Sequence, residues 1–216
     1  MSEIDRTNLY YDNLVAAFIR GRLPDTSELS LNDLIDVAIE NQLRIHKFKR
    51  NAELPRVHKI LGVLRGIQPA SLLDIGSGRG TFLWPLVDSF PYAPITSAEL
   101  SVIRATDINA VRCGGVDRLT AVMMDARRLG FADNSFDVVT ALEVLEHMET
   151  PELAMAEAIR VARRFVLISV PSHEDNNPEH INLFTKSAME RMLLSAGAAK
   201  VKIEYVLNHM IAVASV

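Results

Sequence analysis

The 216-residue sequence has a single cysteine, Cys113, which excludes an internal disulfide and any multi-thiolate metal site and fits a reducing compartment. It has no run approaching the roughly 20 uninterrupted apolar residues that a bilayer span requires. The opening residues, from Met1 to Asp5, show no basic stretch leading into an apolar one, so no export signal is expected. The cytoplasm is therefore the expected compartment, with no membrane partner. Internal repeats and low-complexity segments are missing, which excludes repeat architectures. Nor is there an excess of positive charge: 23 Lys and Arg against 27 Asp and Glu give a net charge of −4, which argues against a surface that is basic all over.

What is present is an ordinary globular balance, 49% hydrophobic and 23% charged, in a chain slightly longer than a typical single domain. One core with a small appendage is expected. The charge is unevenly spread. Residues 1–43 carry acids from Glu3 to Glu40 against only Arg6, Arg20 and Arg22, whereas Arg44, Lys47, Lys49, Arg50, Arg56, Lys59 and Arg65 follow with Glu53 the only acid among them. Such a run reads first as a solvated helix face, with contact to an anion or nucleic acid as the sharper alternative.

From Leu72 onward, short β-type apolar runs alternate with helical patterns, the layout of a parallel sheet covered on both faces. Strands are predicted over 71–75, 95–99, 120–124, 136–142, 165–170, 200–207 and 210–216. The last two are joined too closely for a crossover helix, so they form an antiparallel hairpin. Helices fill the other connections, most clearly over 152–163 and 186–196, the second stopped by Gly197. Before Leu72 the pattern is helical, with breaks at Gly21 and Pro24 and a third helix over 54–65. This divides the chain into an N-terminal helical extension over 1–52 and a sheet domain over 53–216.

The segment Leu72-Leu73-Asp74-Ile75-Gly76-Ser77-Gly78-Arg79-Gly80 sets three glycines at the exit of a buried strand and the entry of a helix. Glycines permit close backbone approach to a ligand, and a helix N-terminus offers free N–H groups. A dinucleotide site would need glycine at Thr81, and a phosphate-binding P-loop would need a Gly-Lys-Ser/Thr ending, so both fail on spacing. Pro85 falls early in the following helix and predicts a late start or a kink, which leaves Trp84 hard to place.

With Glu99 ending the second strand, Asp125-Ala126 after the third and Glu143-Val144-Leu145-Glu146-His147 after the fourth, the chain resembles the class I S-adenosylmethionine-dependent methyltransferases over about residues 72–197. The resemblance implies a Rossmann-like, doubly wound, seven-stranded and mostly parallel α/β sheet with an antiparallel C-terminal strand. It also implies S-adenosylmethionine as cofactor, held by Asp74, Gly76, Ser77, Gly78, Gly80, Glu99, Leu100, Asp125, Ala126 and Glu143. Glu99 would accept from the ribose hydroxyls, and Asp125 from the adenine amino group with the Ala126 N–H on a ring nitrogen. Phe131 and Phe136 read as core.

Ligands of open α/β sheets sit beyond the carboxyl ends of the strands, which directs attention to Glu143–His147 and to the segment from His173 to His180. Glu143, Glu146, His147 and His180 form a hard-ligand set that could hold Mg²⁺ or Mn²⁺ beside a hydroxyl acceptor. That set resembles the small-RNA 3′-terminal 2′-O-methyltransferases, although the surroundings of His180 lack that family's aromatic and arginine-rich pattern. The same segments also resemble small-molecule O-methyltransferases, so a small hydroxylated acceptor is the leading expectation and RNA the alternative. Without a metal, His147, His180 or His173 is the candidate base, since imidazole titrates near neutrality. A non-catalytic module that keeps the fold to bind a partner is the third reading. The N-terminal helices are expected to act as a lid over the cofactor or to mediate dimerisation, leaving monomer and homodimer both open.

Overall fold

In the computed structural model, residues 9–50 and 54–216 are described. The predicted 52/53 boundary, and with it Glu3, Asp5, Arg6 and Glu53 of the charge pattern, lies outside those residues. Seven strands form one sheet in the order β3-β2-β1-β4-β5-β7-β6. These are β1 Leu72–Ile75, β2 Ile95–Glu99, β3 Leu119–Met123, β4 Phe136–Leu142, β5 Ala162–Pro171, β6 Lys200–Val206 and β7 His209–Ser215. The first five are mutually parallel, and β7 inserts antiparallel between β5 and β6. The chain order reverses between β1 and β4, the place where open α/β sheets leave a crevice.

β1 and β4 are buried along their whole length because both faces of the sheet are covered. Helices α3 (Pro55–Ile67), α4 (Leu83–Ser89) and α5 (Val102–Cys113) belong with one apolar cluster. Helices α6 (Pro151–Val161) and α7 (Lys186–Ser195) belong with the other. Several predicted bounds shift: β5 starts three residues earlier than expected, directly at the end of α6 (Pro151–Val161), which stops two residues short of its predicted end, and β3 and β7 each lie one residue earlier. No helix fills the connection 124–135, although alternation of strands and helices predicted one there. Gly197 ends α7 in a left-handed turn, its N–H donating to Leu194 and that of Ala198 to Leu193, so both freed carbonyls are satisfied.

The N-terminal helices α1 (Asp12–Arg22) and α2 (Leu31–Glu40) are not a separate layer, because Leu14, Val15, Phe18 and Leu34 share the apolar cluster of β1, α4 and α5. Gly21 does not break α1 as the sequence suggested; it lies within the helix, and its role is contact. A Cβ there would fall 1.8 Å from the Ala110 carbonyl oxygen of α5, and a Cβ at Gly114 would fall 1.8 Å from the Ala17 oxygen of α1. The two helix backbones therefore pack at a distance that only glycine permits.

The basic run is not one solvated face. Lys47 and Arg22 both pair with Asp107, Arg50 pairs with Asp88, Arg56 with Glu143 and Lys59 with Glu204, and Arg65 donates to the Ser89 hydroxyl. These residues fasten the extension and α3 to the sheet domain. Among the described residues, no helix is long and apolar enough to cross a membrane.

Candidate active site

The carboxyl ends of β1, β2 and β4 open into a cavity of about 710 Å³. Its first wall is the glycine loop. Gly76 and Gly78 both have positive φ, +67° and +60°, and a Cβ at Gly76 would lie 2.7 Å from a Val144 methyl, so these positions need glycine. Asp74, almost fully buried, accepts from the Ser77 and Thr140 hydroxyls, and Ser77 Oγ lies 2.7 Å from Ser97 Oγ. Burial pushes the Asp74 carboxyl up to about 7, against the pull of its two hydroxyl donors. Asp74 thus anchors the loop from beneath.

Glu99 closes β2 on the cavity wall, and its Oε1 accepts the Gly78 N–H at 2.8 Å. Burial raises its carboxyl above the ordinary value, with the Gly78 donor opposing. Leu100 and Ala126 also line the cavity.

Two expected cofactor residues do not line it. The Asp125 carboxylate turns to its own loop, accepting the Arg127 N–H at 2.9 Å and pairing with the Arg127 guanidinium, whose donors hold it below the usual range. Gly80, at φ +86°, faces the other way, where a Cβ would lie 2.0 Å from Trp84 Nε1. Trp84 thereby finds its place: it is buried against Phe48, with ring centroids 4.6 Å apart. Pro85 is the third residue of α4, where its missing N–H would have had no helical partner, so the helix begins late without a kink. Phe131 and Phe136 pack edge to face at 4.9 Å within the core and do not line the cavity.

The far wall comes from β4 and the turn after it: Leu142, Glu143, Val144, His147 and Met148, with Arg56 and Glu179 beside them. Glu143 adopts φ +57°, a strained conformation of the kind that clusters at functional sites. Its oxygens accept from Ser169 Oγ at 2.9 Å and His209 Nε2 at 3.1 Å, with Arg56 Nε at 3.6 Å. Burial works to raise its pKa, but these donors outweigh burial and hold Glu143 ionised.

Glu146, His147 and His180 bring donor atoms within 4.8 Å of one another. Glu143 is not in this group, which corrects the expected four-ligand set: its carboxylate is already committed to Ser169, His209 and Arg56. Both Glu146 oxygens are buried without a hydrogen-bond partner, and burial, then the charge of Glu143, pushes its carboxyl up to about 8. His147 Nδ1 lies 2.9 Å from the Glu179 carbonyl oxygen and His180 Nδ1 lies 2.9 Å from Asp175 Oδ2. An oxygen without a hydrogen can only accept, so both rings carry the proton on Nδ1, leaving Nε2 of each free as acceptor or metal donor. His180 and Glu146 stand behind His147 and do not line the cavity. His173, the third base candidate, is exposed on the loop after β5 and is not part of this group.

Sequence reasoning missed Arg56, Ser169, His209 and Glu179. Arg56 was read as part of a charge run, and His209 sits in a hairpin with no motif; only the antiparallel register that sets His209 against Pro171 at the end of β5 brings it to Glu143. The expected lid is not seen in the described residues, since none of residues 9–50 lines the cavity and only Arg56 and Val57 of α3 reach it from that side.

Comparison with known proteins agrees with this geometry. Residues 73–167 match the family model described as a methyltransferase domain. A malonyl-[acyl-carrier protein] O-methyltransferase of Geobacter sulfurreducens is 35% identical over 107 residues, covering 49% of this chain and 40% of that protein. A ubiquinone/menaquinone biosynthesis C-methyltransferase of Roseobacter denitrificans is 33% identical over 94 residues, covering 43% of this chain and 38% of that protein. The chain thus spans less than half the length of these relatives. The solved structure of a methyltransferase of Thermotoga maritima, described as S-adenosylmethionine-dependent, shares the fold with a TM-score of 0.61 at 16% identity, covering 91% of this chain and 98% of that one. In its strand order, its glycine loop and the match over 73–167, the chain is similar to the class I S-adenosylmethionine-dependent methyltransferases.

Proposed function

We propose that this protein transfers the methyl group of S-adenosylmethionine to an oxygen of a small hydroxylated molecule. The observation that carries the reading is that one cavity joins the glycine loop and Glu99 at one end to His147, Glu143 and Arg56 at the other. The residues fit the cofactor: the loop has no side chains at Gly76 and Gly78 to obstruct it, and Glu99 sets a carboxylate on the cavity wall. Bound S-adenosylmethionine supplies a methyl already activated on a sulfonium, so the chain's part is alignment and proton management.

The relatives named above act on oxygen in one case and on carbon in the other, so the acceptor atom is argued from this site. An oxygen acceptor must lose a proton, and His147, with Nδ1 fixed on the Glu179 carbonyl, lines the cavity as the base this reading assigns. Arg56, which pairs with Glu143 at the cavity wall, offers a donor for orienting polar groups of the acceptor. Incubation with methyl-labelled S-adenosylmethionine and panels of catechols, sugars, free carboxylic acids, quinols and short RNAs tests the reading. Label should enter a small hydroxylated compound and be lost with His147→Ala. Label only in a carbon-bound methyl, or only in RNA, would overturn it.

A second form of the reading adds a divalent cation. It is supported by the buried, unpartnered Glu146 carboxyl beside the His147 and His180 imidazoles, a carboxylate and imidazole set suited to Mn²⁺ or Mg²⁺. Carbonyl and carboxylate partners on the two Nδ1 atoms are the usual support for metal-binding imidazoles. Mn²⁺ should then raise the unfolding midpoint of the native protein and leave Glu146→Gln unmoved, and equal effects on both would remove the cation from the account.

A further inference from the structure

A second groove, of about 830 Å³, lies on the outer side of the glycine loop. Three segments wall it: residues 44–49, Gly78–Thr81 and the start of α5 from Ser101 to Ile108. It shares Gly78, Arg79, Thr81 and Arg104 with the cofactor cavity but otherwise draws on different residues.

The charge of this groove is unlike that of the molecule. In a chain of net charge −4, it gathers Arg44, Lys47, Lys49, Arg79 and Arg104 with His46, and its one acid among the described residues, Asp107, is already paired with Lys47 and Arg22. Among the described residues, Arg44, Lys49 and Arg79 take part in no ion pair, whereas Arg104 feels the charge of Glu99. Cations crowded without counter-charges repel one another, and an anion in a concave site relieves that repulsion. The floor contributes a further donor: Trp84, which lines the groove, is buried, and its indole N–H has no acceptor. Tyr11, Leu54 and Ile103 add apolar surface beside the cations.

We propose that this groove is a second binding site, distinct from the cofactor cavity, which takes the phosphate or diphosphate group of a small organic molecule. Arginine forks suit the several oxygens of a phosphate, and the tyrosine, leucine and isoleucine side chains suit an organic portion attached to it. A small ligand fits better than a polymer. A nucleic-acid track would continue along the basic run, but Arg50, Arg56 and Lys59 are spent on Asp88, Glu143 and Glu204 inside the protein. The cations of the basic run that make no ion pair or side-chain hydrogen bond among the described residues, Arg44 and Lys49, thus both line one groove with the volume of a small-molecule pocket.

The test is a calorimetric titration of inorganic pyrophosphate into the full chain, into Arg44→Gln/Lys49→Gln, and into Arg112→Gln/Lys200→Gln, which removes the same charge from exposed positions elsewhere. Arg44 and Lys49 line the second groove and not the cofactor cavity, so cavity binding would ignore their loss. The expected result is one-site binding to the native chain, weakened roughly tenfold or more by the groove substitutions and less than about twofold by the control pair. Equal weakening by the two pairs, unchanged affinity in the groove variant, or no pyrophosphate binding to the native chain would overturn the proposal. Binding of a short oligoribonucleotide without binding of pyrophosphate would overturn it in favour of RNA. Thermal melting of all three proteins checks that the substitutions leave the fold intact.

Discussion

Glu146→Gln isolates the most unusual ionisable group in this fold. Neither Glu146 oxygen has a hydrogen-bond partner, and the group folds with its pKa pushed up to about 8 from an ordinary 4.5. The folded state therefore holds a proton that the unfolded chain releases, so native stability falls as pH rises from about 4.5 to about 8 and is lost no further above that. At about 1.4 kcal/mol per pKa unit, the change between pH 5 and pH 8 amounts to roughly 3 kcal/mol. Glutamine cannot titrate, so the variant should lack this slope. Asp74, raised to about 7, contributes a slope of the same sign to both proteins and cancels in the difference. Urea unfolding midpoints of both proteins from pH 5 to pH 8, with EDTA present, measure it. The variant should gain on the native protein by roughly 3 kcal/mol across that range. A difference that stays constant with pH would show that Glu146 is ionised in the folded state and would refute the reasoning.

Gly21→Ala should lower stability by more than about 3 kcal/mol, because its Cβ would meet the Ala110 oxygen at 1.8 Å. Gly62→Ala, with nothing within 4 Å in the middle of α3, should raise it by roughly 0.5–1 kcal/mol, and thermal melts of the two read both signs. Leu207 holds φ +46° in the β6–β7 turn while 77% exposed, so Leu207→Gly should stabilise by about 1 kcal/mol in urea titration. Asp137 accepts from Ala70 N–H, Arg163 and Arg164 at the end of β4 away from the site. Burial tends to raise its carboxyl, but these donors hold it low, so its contribution is present above the ordinary carboxylate range and fades as pH falls. Asp137→Asn should cost about 1–3 kcal/mol at pH 7 and leave cofactor affinity unchanged.

The sheet was legible because its signals are local. Buried runs at β1 and β4, the seven-residue stretch 76–82 of loop and helix entry, and the two-residue turn after β6 each leave a mark in consecutive residues. Of the hard-ligand set, Glu146 and His147 were legible as neighbours in one motif, whereas His180 lies 33 residues further on. What the sequence could not reveal depends on residues far apart along the chain. Gly21 looks like a helix breaker until Ala110 is seen against it, and Glu143 looks like a ligand until His209 and Ser169 occupy it. Asp125 looks like a cofactor contact, whereas Arg127 two residues on supplies a local partner for its carboxylate. The basic run looks solvated because its partners, Asp107, Asp88, Glu143 and Glu204, lie 38 to 145 residues away in the sequence.

The central claim is that the loop from Asp74 to Gly78, with Glu99, holds S-adenosylmethionine. Calorimetric titration of S-adenosylhomocysteine into the native protein and into Glu99→Gln tests it most directly. One-site binding to the native protein, weakened roughly 10–100-fold by the loss of a charged acceptor at Glu99, is the predicted result. No binding to folded native protein, or binding indifferent to Glu99→Gln, would contradict it.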